Sequence, residues 1–176
     1  DREIVLVIAG GGGRGTPSAP LTLGARAEPE TLWVTIGALE SEWHETPPSN
    51  LHHRGWVDNP ETWIAAADRV VSSCGNTTVH MMLASPKPWV VVPEWRYFDE
   101  QMCKAQALER AGVAAVSLHW PSHRASWEAL WQRARNIDPT VRDSLFEPDA
   151  ARGAADWLDS LVYTLWDGAS GGVRLE

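Results

Sequence analysis

Short apolar runs recur along the chain at 4–9, 32–36, 51–57, 69–73, 89–93 and 113–118, and most are continuous rather than alternating. Runs of that kind suit strands covered on both faces. Between them apolar residues fall three and four apart. The stretch 60–67 opens on Asn59-Pro60, an N-cap followed by proline, and carries Trp63, Ile64 and Ala67 on one face. The stretch 77–84 stops before Pro86, and 98–111 sets Met102, Ala105 and Leu108 against Glu109 and Arg110, with Gly112 at its end. Two more helices are predicted at 126–135 and 150–166. Strands alternating with helices predict right-handed β-α-β units, hence an α/β fold with a doubly wound, mainly parallel six-stranded sheet of Rossmann type. Two segments resist this reading. Pro17, Pro20 and Pro29 make 15–31 a predicted loop with one turn of helix, and Pro47-Pro48 leaves 38–50 irregular. The tail 168–176 is expected to be frayed.

The connection after the fourth run carries the most chemistry. Ser72-Ser73-Cys74-Gly75-Asn76-Thr77-Thr78 is a hydroxyl-rich turn that restarts as a helix. Amides at a helix start have no intrahelical partner, so they and the positive end of the helix dipole favour an anion. Gly75 lets an anion approach the backbone, Asn76 suits the N-cap, and Thr77 and Thr78 add hydroxyl donors. The same residues also suit a plain capped helix. Directly after the first run, the glycines from Gly10 to Gly13, then Arg14 and Gly15, form a loop able to close on a bound group at the carboxyl edge of the sheet. It matches neither GxGxxG opening a helix nor a P-loop, and a flexible loop is the competing reading. After the third run, Trp56 and Val57 offer backbone groups against which a base could lie. His52 and His53, adjacent in a strand, point to opposite faces and cannot converge on one metal ion. Glu100 and Gln101 open the 98–111 helix as a carboxylate beside a carboxamide, suited to sugar hydroxyls or simply to the helix dipole.

Composition narrows the partners. The chain has 176 residues, the size of one domain, and a net charge of −8. No Lys/Arg cluster exceeds a pair, which disfavours nucleic acid. Cys74 and Cys103 have neither CxxC nor metal-ligand spacing, so no disulfide framework or zinc site is expected, and a reducing cytoplasm is the simplest compartment. No apolar run reaches the length of a membrane span and no signal peptide is evident. The absence of an initiator Met and the ending Leu175-Glu176, like a cloning remnant, suggest a piece of a longer protein.

Taken in order, the Gly10–Gly15 loop, Gly55-Trp56-Val57-Asp58, Ala66-Ala67-Asp68-Arg69-Val70-Val71, Gly75-Asn76-Thr77-Thr78, the segment from Lys87-Pro88 to Pro93, and Glu100-Gln101 followed by Leu108-Glu109-Arg110-Ala111-Gly112 resemble the C-terminal, donor-binding half of GT-B glycosyltransferases, family 28 (MurG-like). The resemblance runs over about 4–118. It implies a nucleoside-diphosphate sugar donor, most often UDP-linked, and metal-independent inverting transfer of a hexosyl or GlcNAc-type group. The acceptor and the catalytic base are expected on an absent N-terminal half or a separate subunit, and any membrane association would be peripheral, through that half. By position, Gly11, Gly12, Gly13, Arg14, Ser73, Gly75, Asn76, Thr77 and Thr78 would hold the diphosphate. Trp56 and Val57 would take the nucleobase, and Glu100 and Gln101 the sugar.

Two positions depart from the family pattern. Where it usually carries a ribose-binding glutamate, this chain has Met81, with His80 next door but about 100° round the helix. Lys104 stands where the family often has asparagine. These departures, with the eleven tryptophans, keep a non-catalytic binding module open as a rival. A nucleotide-sugar hydrolase or epimerase on the same fold is a weaker one.

Overall fold

The computed structural model describes residues 2–40, 46–145 and 147–167. The predicted frayed tail at 168–176 lies outside them. The chain divides into two compact units, Asp1–Leu145 and Phe146–Glu176.

The first unit contains β1 (Ile4–Ile8), β2 (Thr16–Pro17), α1 (Ser18–Ala27), β3 (Leu32–Ile36), β4 (Leu39–Glu40), β5 (Leu51–His53), α2 (Pro60–Ala66), β6 (Arg69–Ser72), α3 (Asn76–Leu83), β7 (Trp89–Val91), α4 (Glu100–Arg110), β8 (Ala115–Val116) and α5 (Arg124–Arg135). Six strands form one sheet in the order β5-β3-β1-β6-β7-β8, every pairing parallel. The remaining short pair, β2 and β4, is also parallel. Alternation along β1 sends Leu6 and Ile8 into one core and Val5 and Val7 into the other. The first core includes Ile64, Met82 and Leu108 from α2, α3 and α4; the second includes Leu21, Trp127 and Trp131 from α1 and α5. Both faces of the sheet are therefore covered, which is why its strands read as unbroken apolar runs.

α1 corrects the expectation of a loop at 15–31. Pro17 is the residue before the helix, Pro20 lies in its first turn, and Pro29 follows its end. First-turn residues have no intrahelical acceptor for an N–H, so a proline there removes no hydrogen bond. Trp127 and Trp131 of α5 share the core that α1 seals. β5 ends at His53 rather than at Val57, and the carbonyl of Gly55, at φ 68°, accepts a hydrogen bond from the Gly37 amide as the chain leaves the sheet edge. At Gly37, φ is 89° and a Cβ would sit 2.0 Å from the Ala9 carbonyl oxygen, so this turn tolerates only glycine.

A 3-10 segment, Pro139–Leu145, is pinned by Arg142. Its buried guanidinium donates to the carbonyls of Val113, Ser85 and Lys87 and lies over the Trp89 ring. In the second unit, α6 (Ala150–Val162) runs on into a π-turn at Tyr163–Asp167. Trp157, Leu158 and Val162 on α6 are exposed. Among the described residues no helix is long and apolar enough to cross a membrane.

Candidate functional site

β1 and β6 are neighbours in the sheet, yet the helices that follow them pack on opposite faces: α1 in one core and α3 in the other. Opposed crossovers from adjacent strands open a crevice at their carboxyl ends, the usual ligand position in open α/β sheets. The glycine loop after β1 and the Ser73–Gly75 turn after β6 face each other there. Together with Arg96, Glu100 and Gln101 they line a cavity of about 370 Å³.

The floor of this cavity is the start of α3. Its N-cap is Gly75, not Asn76 as expected, and no side chain caps it. Asn76 is the first helical residue, and its Oδ1 accepts a hydrogen bond from Lys104 Nζ, which draws the side chain away from the capping position. The first-turn amides are left without helical acceptors while Gly75, Asn76, Thr77 and Thr78 all line the cavity. Ser73 Oγ is buried with no well-formed hydrogen bond among the described residues. Cys74, inside the turn, is a free thiol fully buried in the core. Burial pushes its thiol up to about 12, Lys104 only partly opposing the shift.

Gln101 holds two loops together from the cavity wall. Its Oε1 accepts from the Cys74 amide at 3.0 Å and the Glu94 amide at 2.8 Å, tying the β6–α3 turn to the β7–α4 loop. Two backbone donors fix which end of the amide is oxygen, so its Nε2 is the group left for the cavity. Glu100 lines the cavity and pairs with Lys104 at 3.0 Å, and the same Nζ reaches the Cys74 carbonyl at 3.2 Å. Lys104 thus joins the Glu100 carboxylate to the helix start. Before α4, Phe98 and Asp99 are both left-handed, at φ 61° and 51°.

Arg14 is not in the cavity wall. It is highly exposed, with its guanidinium 3.7 Å from Glu40. The cation that lines the cavity is Arg96, whose Nη1 donates to the Gly12 carbonyl and whose Nη2 donates to Glu94 Oε2 at 3.0 Å. Burial raises the Glu94 carboxyl above the usual range, with Arg96 and the Ser73 hydroxyl opposing and Glu40 adding to the shift. Gly13 packs against the Arg96–Glu94 pair: a Cβ would lie 1.8 Å from Glu94 Oε2 and 2.6 Å from Arg96 Nη2, so the ends of those side chains would have to shift.

A second compartment of about 220 Å³ continues from the first. Gly10, Gly11, Thr77 and Thr78 belong to both, while Ile8, Ile36, Trp56, Val57, Pro60 and Met81 wall only this apolar slot. The Trp56 ring reaches over Gly11, 3.0 Å from where a Cβ would be. His80 is exposed and lines neither compartment. Beyond Arg96 a wider cleft of about 810 Å³ opens, with Trp95, Tyr97 and Trp120 in its walls.

No family model matches the sequence, and no curated protein matches it either. Solved structures do match. The glycotransferase of kitacinnamycin superposes with a TM-score of 0.60 at 20% identity, over 81% of this chain and 37% of that one. CalG4, the calicheamicin glycosyltransferase, gives 0.57 at 20% identity, over 94% and 45%. MurG of Acinetobacter baumannii gives 0.56 at 17%, over 91% and 50%. The chain has the fold of one half of a GT-B glycosyltransferase. It spans half or less of the length of these three structures.

In this GT-B half the crevice brings together Gly11, Gly12, Ser73, Gly75–Thr78, Glu100 and Gln101 in one cavity and Trp56, Val57 and Met81 in the next. Gly13 and Arg14 line the wide cleft instead. Sequence reasoning missed Arg96. The only signal was a lone cation between aromatic residues just past a strand's carboxyl end, at Trp95-Arg96-Tyr97.

Proposed function

We propose that this chain is the donor-binding half of an inverting glycosyltransferase and holds a nucleoside-diphosphate sugar, UDP-linked sugars being the first class to test. The observation that carries this reading is the paired compartment at the β1/β6 crossing. A polar cavity with open helix amides and one arginine adjoins an apolar slot under an indole ring. A charged diphosphate and a flat base attached to it ask for that division. Glu100 and the Nε2 of Gln101 then face the sugar at the far end of the polar cavity.

In the reaction an acceptor hydroxyl attacks the anomeric carbon, the bond from that carbon to the β-phosphate oxygen breaks, and the nucleoside diphosphate leaves with the electron pair. Charge grows on the departing phosphate. The amides at the start of α3 are fixed donors already aimed at that position, and Arg96 adds a full charge beside them; removing one such donor commonly costs on the order of 10²-fold in rate. The hydroxyl proton goes to a base outside this chain. The acceptor enters from the wide cleft walled by Trp95, Tyr97 and Trp120, presented by a second half in the same polypeptide or by a separate subunit. Any membrane contact is made by that second half, and the chain alone does not turn over.

Titration with UDP, followed by amide chemical shifts, tests this reading. Saturable shifts at Gly75–Thr78 and Gly10–Gly12, abolished by Thr77→Ala with Thr78→Ala, are expected. Indifference of those amides to every nucleoside diphosphate would overturn it in favour of a non-catalytic binding module.

A further inference from the structure

Ion pairs border the polar cavity. Arg96 Nη2 donates to Glu94 at 3.0 Å, and Lys104 Nζ donates to Glu100 at 3.0 Å across one turn of α4. Glu100 itself lines the cavity, so a carboxylate shares the space in which a diphosphate would lie, and like charges there repel. That repulsion has to be offset.

Lys104 is placed to offset it from behind the wall. It does not line the cavity, and its ammonium has three N–H donors and no acceptor. Three acceptors meet those donors: the Cys74 carbonyl at 3.2 Å, Glu100 Oε1 at 3.0 Å, and Asn76 Oδ1. None is left over for a bound molecule. Because an ammonium can only donate, the Asn76 atom that faces it is the oxygen, and the Nδ2 donors remain for the cavity that Asn76 lines. One side chain thus cancels a carboxylate and turns a neutral amide into a donor. Both effects favour an anion.

We propose that Lys104 is a positioning residue for the phosphates: without touching them, it sets the charge and the donor pattern of the wall they meet. This rests on the donor-site reading above and deepens it. The Glu100 side chain is 55% exposed and that of Lys104 24%, so solvent screening holds the effect to a few-fold in affinity.

The test is UDP binding by calorimetry, at low and high salt, to wild type, Lys104→Met, Glu100→Gln and the double variant. The pair is neutral in wild type, negative in Lys104→Met, positive in Glu100→Gln and neutral again in the double variant. Affinity is expected to follow that order of charge. Lys104→Met should weaken UDP binding by about 3- to 10-fold, Glu100→Gln should tighten it, and the double variant should recover most of the loss, the Asn76 amide accounting for the remainder. All the differences should shrink at high salt. A purely structural weld between the turn and α4 predicts the opposite pattern, with every variant weaker and no response to salt. Weakening by Glu100→Gln, a double variant as weak as Lys104→Met, or differences that ignore salt would each overturn the inference while leaving the donor site intact. Glu100→Gln decides the matter by its sign even where Lys104→Met does not fold. Failure of UDP to bind wild type would overturn the donor-site reading and this inference with it.

Discussion

Arg96 and Gly12 are joined across the polar cavity: the guanidinium donates to the glycine carbonyl through Nη1 while Nη2 holds Glu94 at 3.0 Å. One side chain therefore latches the loop after β1 to the loop after β7. It also keeps a positive charge beside the amides at the start of α3.

Replacing that charge is the most direct probe of the cavity. Arg96→Ala is expected to weaken UDP binding by about 10-fold, the worth of one charge-assisted hydrogen bond. Arg96→Lys should recover part of the loss, since an ammonium restores charge but not the planar fork. Calorimetry at constant ionic strength measures both, and unchanged affinity in Arg96→Ala would show that the guanidinium acts only as a latch.

The latch crowds Gly13 with the ends of two side chains. Gly13→Ala would push aside the Glu94 carboxylate and the Arg96 guanidinium, and should lower stability by about 1 kcal/mol, the worth of the hydrogen bond so loosened. At Gly10 a Cβ meets nothing within 4 Å, so Gly10→Ala should stay within about 0.5 kcal/mol of wild type. Urea denaturation of the two variants side by side checks the contrast.

Glu94 should make stability depend on pH. Burial raises its carboxyl in the folded chain despite Arg96, so the folded state holds this proton more tightly than the unfolded state does. Its contribution is complete below the ordinary glutamate range and is lost as pH rises through the raised folded value. Glu94→Gln removes the titration. The melting temperature of the variant relative to wild type should therefore climb as pH rises from the ordinary glutamate range through the raised folded value. A difference that falls or stays flat would show that the Arg96 pairing outweighs burial.

Arg142 is a separate test of the fold, remote from nucleotide chemistry. Arg142→Met leaves the carbonyls of Val113, Ser85 and Lys87 buried without their donor. The expected loss is about 3 kcal/mol or more. Chemical denaturation measures it, and UDP affinity in the folded variant should be unchanged.

The elements legible in the sequence were those whose cause is local. The run 32–36 is a strand with those bounds, Pro60 sits at the first position of α2, and the turn at Ser73–Gly75 does open a helix. α1 was illegible because its three prolines look like breakers until their positions relative to the helix are known, and the core shared with Trp127 and Trp131 is made by residues about a hundred positions downstream. β8 shrank to Ala115–Val116 because an edge strand pairs on one side only.

Gln101 and Asn76 show the same division inside the site. Their residue types suggested a sugar ligand and a cap; what the types did not reveal is that the Gln101 carboxamide oxygen binds the amides of Cys74 and Glu94. Asn76 likewise turns to Lys104, 28 residues away.

By itself the sequence determined the α/β alternation and the glycine- and hydroxyl-rich turns at the strand ends, because apolar periodicity and turn chemistry act over a few neighbouring residues. Only the tertiary structure decided that the crossovers after β1 and β6 part to opposite faces, that Arg96 rather than Arg14 enters the cavity, and that Met81 walls the slot. Those outcomes depend on contacts between segments far apart in the chain, as between Arg96 and Gly12 across 84 positions, and no local pattern encodes which distant partner a side chain meets.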